Sequence, residues 1–297
     1  MSTKTTMTDN NDKNMASEQE IEWAWRIKQA AKLDPYIIAD KISDLEFLQH
    51  GIVAKENYKL ALRRLKRMQE FKRIYGIQLD GSLEQAARDI EAFFLANPGL
   101  YLGLGEASNG VHFVCADYSK SFACKLDTNE SYAIRLRGLF YYLQAVQPNV
   151  AAMRNGYSTM VDMSRASWRN LSPAFVRRYA QLVSHAYPIR TVQTVLLNSH
   201  FIIMLGYHLV KIFFSAKARR RFVICGQGSF EEATGGCYTK DVLPREWGGT
   251  FDSSKENLQK VWLQRLKERY ALAESFRLVA LPSQLKPSPD SPTTTSR

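Results

Sequence analysis

The spacing of apolar residues divides the chain into a helical first part and a second part in which strands and helices alternate. Before residue 100, apolar positions recur every three or four residues, which is the period of an amphipathic helix. Helices are predicted over residues 18–32, 44–50, 55–75 and 83–96. Ser17 and Glu20 form a capping-box pattern at the first helix, and Gly51 is the predicted C-cap of the second. The first hundred residues are therefore predicted to be helices and loops.

After residue 100, short runs rich in β-branched residues alternate with longer segments of helical period. Strands are predicted over residues 111–118, 156–163, 191–197 and 221–225. Helices are predicted over residues 130–147, 173–185, 201–214 and 258–277. This alternation is typical of an α/β sheet with crossover helices.

The two ends of the chain differ in composition from its interior. Residues 1–16 are polar and lack the apolar core of a secretory signal, so we expect a disordered leader. Residues 282–297 are rich in Pro, Ser and Thr, and we expect a disordered tail. Residues 191–214 are long and apolar enough to suggest a membrane span, but polar side chains interrupt them. A strand followed by an unusually apolar helix is the better interpretation.

Charge changes this picture because it is concentrated in two places. The 297 residues include 40 Lys and Arg and 29 Asp and Glu, with a net charge of +11 and 45% apolar residues. Residues 59–73 (the first basic cluster) contain seven basic residues and one acid, and residues 211–221 (the second basic cluster) contain five basic residues and no acid. The two clusters account for the whole excess. Local basic clusters are typical of surfaces that meet phosphates, on nucleic acid or on lipid head groups.

The sequence does not support a catalytic site or a metal-binding site. The four cysteines show no paired or zinc-ligand spacing. His200 and His208 lie eight residues apart, too far for the pairing of a zinc helix. The motif 226–229 (GQGS) is not followed by the closing glycine of a nucleophile elbow, and Gly103, Gly105 and Gly110 miss the dinucleotide spacing. We therefore expect no enzymatic activity and no cofactor.

Five motifs in the second half follow one another in a known order. They are 156–163 (GYSTMVDM), 186–190 (AYPIR), 195–198 (VLLN), 210–217 (VKIFFSAK) and 243–250 (LPREWGGT). Together they resemble the CRAL-TRIO lipid-transfer family, closest in character to its branch of tocopherol and retinaldehyde carriers. The resemblance implies a small helical domain 17–95 and a lipid-binding domain 96–281, between the expected leader 1–16 and the expected tail 282–297. It also implies a mostly parallel sheet flanked by helices, with a mobile gate helix over residues 201–214.

The resemblance also implies an apolar pocket for a small hydrophobic ligand such as a retinoid, tocopherol, sterol or phospholipid. The residues matched to the pocket are Leu136, Leu139, Leu143, Leu182, Tyr187, Phe201, Met204, Leu205 and Phe213. A helix that is apolar nearly all round must be buried or must alternate between two apolar environments, and this fits a gate independently.

Beside the gate, the family branch holds a phosphoinositide head group in a basic cleft. Arg190, Lys217 and Arg221 occupy the matching positions, whereas residues 49–51 (QHG) replace an arginine-bearing stretch of the helical domain. The resemblance therefore implies phosphatidylinositol bisphosphate as a second ligand and a peripheral membrane role.

The function expected from the sequence is a cytoplasmic carrier that associates transiently with intracellular membranes and exchanges a lipid there without a catalytic step. One alternative is a phosphoinositide-responsive membrane adaptor without carrier activity. A second is a nucleic-acid-binding protein that uses the helix 55–75, although no nucleic-acid-binding motif accompanies that helix.

Overall fold

The computed structural model describes residues 15–121, 129–170, 172–199, 205, 208, 211–225 and 236–278. The predicted tail and nearly all of the predicted leader lie outside the described residues. So does most of the predicted gate helix 201–214, in which Lys211–Phe213 form a 3₁₀ turn. Among the described residues, no helix has the length and apolar character needed to span a bilayer.

Within residues 15–100, four α-helices form the first part of the chain. They are α1 (Glu18–Lys32), α2 (Asp44–Ala54), α3 (Tyr58–Ile74) and α4 (Leu83–Ala96). In each case the residue before the helix is an N-cap whose side chain accepts a hydrogen bond from a first-turn amide. The capping box of Ser17 and Glu20 is present as predicted, and α1 and α4 have the predicted bounds.

Gly51 is not a C-cap, contrary to the prediction. The helix α2 continues to Ala54 and ends at Lys55, whose φ is 54°. A Cβ atom at Gly51 would lie 3.1 Å from the backbone nitrogen of Ala24 in α1. The glycine therefore serves the close approach of α2 to α1, a tertiary contact that the local sequence does not reveal.

In the described part of the chain, a five-stranded sheet forms the centre of the second part. The strands are β1 (Tyr101–Glu106), β2 (His112–Asp117), β3 (Tyr157–Asp162), β4 (Thr191–Leu197) and β5 (Phe222–Ile224), in this spatial order. The pair β1 and β2 is antiparallel, and the other three pairs are parallel. The expectation of a mostly parallel sheet flanked by helices is thus confirmed.

The strand β1 was not predicted, because Gly103 and Gly105 break its alternation and resemble a loop. Its pairing with β2 places Gly105 opposite Phe113. A Cβ atom at Gly105 would lie 2.7 Å from the Phe113 ring, so the glycine makes room for that buried ring.

Among the residues that the structure describes, five further α-helices connect and flank the strands. They are α5 (Asn129–Ala145), α6 (Val150–Asn155), α7 (Pro173–Gln181), α8 (Ala216–Arg219) and α9 (Lys255–Ser275). The helix predicted over 173–185 is α-helical only to Gln181 and continues as a π-helix, Leu182–Ala186. Parallel strands require such crossover connections, which pass over the faces of the sheet.

Two of the four apolar clusters among the described residues contain most of the core: a smaller one around α1, α2 and α3 and a larger one on the sheet. Ile27, Leu48 and Leu65 belong to the smaller cluster. Phe93 of α4 and Trp262 of α9 belong to the larger one, together with side chains from the end of α3, so α4 packs with the sheet layer. This packing fixes α5 and α9 over the sheet, and α5 forms one wall of the cavity described next.

Candidate functional site

A cavity of about 850 Å³ lies between the sheet and the helices α5 and α7. Ala116, Thr159, Val161, Leu196 and Phe222 line it from four adjacent strands. Successive side chains of a strand point to opposite faces, so Thr159 and Val161, two residues apart, line the same face. The sheet therefore supplies a floor of apolar and β-branched side chains.

Helix residues form the opposite walls of the cavity. Leu139 and Tyr142 line it from α5, and Phe175, Val176 and Tyr179 line it from α7. Spacings of three and four residues place such side chains on one helical face. The cavity is therefore enclosed by side chains that favour a hydrophobic ligand.

Several buried phenols interrupt this apolar lining. Burial raises the pKa of Tyr142, Tyr157 and Tyr179, and all three line the cavity. They are therefore neutral near pH 7 and offer hydroxyl groups without charge. The Tyr142 hydroxyl lies 3.5 Å from Oγ1 of Thr159, so a polar contact already exists within the cavity wall.

The structure separates the predicted pocket residues into two groups. Leu139 lines the cavity. The other four outside the gate lie in the larger apolar core, at most 2% exposed, and are not among the residues that line the cavity: Leu136, Leu143, Leu182 and Tyr187. Leu136 and Leu143 miss the cavity because they lie on another face of α5. The face that meets the cavity contains residues 135, 139 and 142.

The predicted gate residues are only partly described. Phe201 and Met204 lie outside the described residues. Leu205 is 46% exposed, and Phe213 is half-buried. At the end of this segment Phe214 lines the cavity and packs edge-on against Phe222 of β5. The described end of the predicted gate segment therefore contacts the sheet through Phe214.

The three predicted phosphoinositide ligands, Arg190, Lys217 and Arg221, all line this same cavity. Arg190 precedes β4, Lys217 lies in α8 and Arg221 precedes β5, so parallel pairing of the strands brings them to one edge of the sheet. Burial, and then the positive charge of Arg190, lower the pKa of Arg221. Arg190 is exposed, and its Nη1 donates a hydrogen bond to the carbonyl oxygen of Arg154 at 3.0 Å.

Cations greatly outnumber acids in the described cavity wall. The cations are Lys55, Arg64, Arg135, Arg154, Arg190, Lys217 and Arg221. Among the described lining residues Glu20 is the one carboxylate, and its Oε2 lies 2.5 Å from Nη2 of Arg154. The carboxylate of Glu20 therefore neutralises Arg154 and leaves a strong positive excess, which favours an anionic group on any ligand.

Arg64 of α3 is a cavity residue that the sequence did not single out. Its Nε and Nη1 atoms are buried and have no hydrogen-bond partner among the described residues. Burial lowers the pKa of Arg64. The sequence shows Arg64 only as one of seven basic residues around an amphipathic helix. The signal that distinguishes it is its position four residues after Leu60, which also lines the cavity.

Arg135 of α5 is the second residue that was missed. It is 4% exposed and lines the cavity. The available signal was again spacing, because Arg135 lies four residues before the predicted pocket residue Leu139.

Comparison with known proteins supports the same fold. Residues 124–249 match the family model of the CRAL/TRIO domain. The crystal structure of Sfh5 matches with a TM-score of 0.53 and 13% sequence identity, over 86% of this chain and 99% of that chain. Curated proteins show no match. The family match covers β3, β4 and β5 with the helices α5 and α7, and the Sfh5 match covers most of the chain, so we conclude that the chain has a CRAL/TRIO fold.

Proposed function

We propose that the protein binds a small hydrophobic lipid in the cavity and exchanges it at membranes. The observation that carries this proposal is the cavity itself, which lies inside a CRAL/TRIO fold between an apolar sheet face and two helices. Its volume of about 850 Å³ lies in the range of small-molecule sites in proteins.

The energetics of such a carrier are balanced. A ligand that buries on the order of 400 Å² of apolar surface gains roughly 10 kcal/mol over water. The interior of a bilayer offers nearly the same gain, so transfer between protein and membrane is close to neutral. The protein then lowers the barrier to movement through water and needs no catalytic step.

The finer part of the proposal concerns phosphoinositides and the branch of tocopherol and retinaldehyde carriers. Arg190, Lys217 and Arg221 would hold the phosphates of a head group at the cavity rim, because guanidinium and ammonium groups pair with phosphate oxygens. Arg64 adds a cation from the helical part, where residues 49–51 lack the arginine-bearing stretch of that branch. Such binding would bias the gate towards release at a cytosolic membrane face.

The main alternative, a membrane adaptor without carrier activity, is tested by the same protein preparation. Native mass spectrometry and lipid extraction should detect a bound lipid, and fluorescent lipid should pass between vesicles at a rate proportional to protein concentration. A protein that binds phosphoinositide vesicles but holds and transfers no lipid would be an adaptor.

The contacts that the basic side chains of α3 make within the protein disfavour the nucleic-acid alternative. Lys66 pairs with Asp34 at 2.8 Å, and Lys72 pairs with Glu46 at 2.8 Å. Arg64 contributes to the cavity wall. The contacts of these three residues reduce the first basic cluster to four exposed cations, Lys59, Arg63, Arg67 and Arg73, and no nucleic-acid-binding motif accompanies them.

A further inference from the structure

Arg135 is a buried cation inside the proposed lipid cavity. It lies in α5, is 4% exposed and lines the cavity together with Leu139 and Phe175. Removing an unpaired charge from water costs several kcal/mol even after the protein relaxes, so such a group needs compensation.

The described partners of Arg135 are neutral. Its Nη2 donates a hydrogen bond to Oγ of Ser121 at 2.5 Å, and its guanidinium carbon lies 4.2 Å from the centre of the Phe175 ring. A guanidinium carries five N–H donors, so one hydroxyl and one aromatic face satisfy it only in part. Burial lowers the pKa of Arg135, but an arginine stays protonated in proteins.

The neighbouring Arg137 shows what Arg135 lacks. Two residues further along α5, Nε of Arg137 lies 2.8 Å from Oδ1 of Asp89. No carboxylate of the described residues lies within ion-pair distance of Arg135. The anion that would complete the Arg135 site is therefore missing from the described part of the chain, and the open side of the guanidinium borders the cavity.

We propose that Arg135 binds the charged end of the cavity ligand, and that this ligand is a long-chain carboxylic acid. The inference rests on the proposed function, because it names the class of lipid that the cavity holds. A carboxylate carries one negative charge and matches the fork of a guanidinium through two parallel hydrogen bonds. The Ser121 hydroxyl accepts a hydrogen bond from Nη2 and so positions the guanidinium. Leu139, four residues further along α5, borders the space for the alkyl chain.

This inner site is distinct from the basic residues at the rim. Arg190 and Lys217 are exposed, whereas Arg135 is buried against the ring of Phe175. Variants at the rim and at Arg135 therefore separate attraction to a membrane surface from recognition of a ligand inside the cavity.

The test compares binding of oleate, methyl oleate and oleoyl lysophosphatidate by the full chain at pH 8, where the carboxylate is ionised. The wild type should bind oleate roughly 10-fold or more tightly than methyl oleate, as expected for a charge-assisted contact. Arg135→Met should abolish that preference and keep binding of methyl oleate within about 2-fold. Arg177→Met, an exposed arginine of α7, is the matched control and should retain the preference.

Each other outcome has a defined meaning. Equal binding of oleate and methyl oleate by the wild type, or an unchanged preference in Arg135→Met, overturns the inference while leaving lipid carriage intact. A preference for lysophosphatidate over oleate overturns the carboxylate assignment. Failure to load any of the three lipids overturns the inference, and a further failure to load a retinoid, a tocopherol or a sterol would contradict the proposed function itself. If Arg135→Met does not fold, as judged by circular dichroism, Ser121→Ala and Arg135→Lys should each reduce the preference, and an unchanged preference in both overturns the inference.

Discussion

Arg154 of α6 donates two hydrogen bonds to the carboxylate of Glu20 in α1, from Nε to Oε1 at 2.7 Å and from Nη2 to Oε2 at 2.5 Å. Both residues line the cavity. The pair therefore joins the helical part of the chain to the sheet layer at the rim of the proposed lipid site.

Replacing Glu20 by Gln should destabilise the fold, because the charge is lost while the capping box with Ser17 is kept. A hydrogen bond to a charged group contributes about 1.5–3 kcal/mol, so the free energy of unfolding in urea should fall by about that amount. Glu22→Gln is the control, because Glu22 pairs with Arg26 at the surface and should contribute about 0–1 kcal/mol. An equal loss in both variants would contradict a special role for the Arg154 pair.

The same pair predicts an acid dependence. Burial raises the pKa of Glu20, but hydrogen bonds from Arg154 and the Ser17 amide outweigh it, so the pKa lies below its usual 4.5. A carboxyl whose pKa is lower in the folded state stabilises the fold at any pH above its pKa in the unfolded state. This contribution is lost as the pH falls through its pKa in the folded state. Urea unfolding between pH 5 and about pH 3 should therefore show a smaller loss of stability in Glu20→Gln than in the wild type.

Two buried histidines predict a second pH dependence. Burial, followed by the charges of Arg64 and Lys72, lowers the pKa of His50 to about 3. Burial and the charge of Arg265 lower the pKa of His112 to about 3. At neutral pH His112 is therefore uncharged, and its contact with Glu106 at 3.6 Å is not an ion pair.

In the unfolded chain both histidines take up a proton near their usual pKa of 6.5, so the unfolded state binds more protons below that pH. Stability should fall as the pH decreases from about 6.5 towards 3, with each histidine contributing up to roughly 1.4 kcal/mol per pH unit. In His50→Leu the slope of the unfolding free energy against pH should be smaller by about the contribution of one histidine. Urea unfolding at several pH values measures this slope. An unchanged slope would mean that His50 is protonated in the fold.

Helix caps and period were sufficient to place most of the helices, because these signals are local. The start of α1 follows from the capping box of Ser17 and Glu20, and the bounds of α4 follow from its helical period. The strand β1 could not be predicted, because its glycines are explained only by the Phe113 ring on the neighbouring strand.

The sequence likewise predicted only some residues of the candidate site. The family motifs led to Arg190, Lys217 and Arg221, and the structure places them around one cavity. Arg64 and Arg135 were missed because a basic residue on an amphipathic helix is usually solvated. Whether it faces water or a cavity depends on which helices pack against it, and that is a property of the tertiary structure.

Replacing Gly138 by Ala should destabilise the contact between α4 and α5. A Cβ atom at Gly138 would lie 2.1 Å from Cδ2 of Phe93, so the ring or the helix must move. Overpacking of a core costs about 1–3 kcal/mol, which exceeds the gain in helix propensity of about 1 kcal/mol from Gly to Ala. A lower melting temperature is expected, and Gly138→Ala combined with Phe93→Leu should recover part of the loss. A stable single variant would contradict this close approach.

Replacing Leu139 by Trp should block loading of a hydrophobic ligand, because the larger side chain projects from α5 into the cavity. Leu95→Trp is the matched control, since Leu95 is exposed on α4. Binding of a fluorescent fatty-acid analogue should fall at least about 10-fold in Leu139→Trp and stay unchanged in the control. Normal loading of a folded Leu139→Trp protein would place the ligand elsewhere.

Replacing Arg190, Lys217 and Arg221 together by Ala should weaken binding to vesicles that contain phosphatidylinositol bisphosphate. Each cation near an anionic membrane surface contributes about 1 kcal/mol, so sedimentation should show a loss on the order of 100-fold.

The matched control removes the same charge from exposed residues of α3: Arg63, Arg67 and Arg73. A specific cleft predicts a much smaller loss in that control, and a smaller loss for the cleft variant on phosphatidylserine vesicles of equal surface charge. General attraction would make both triple variants lose equal affinity on both vesicle types, because it depends on the total charge and the ionic strength and not on which residues carry the charge. Equal losses would therefore remove Arg190, Lys217 and Arg221 as a head-group site and leave the cavity as the only lipid site proposed within the described residues.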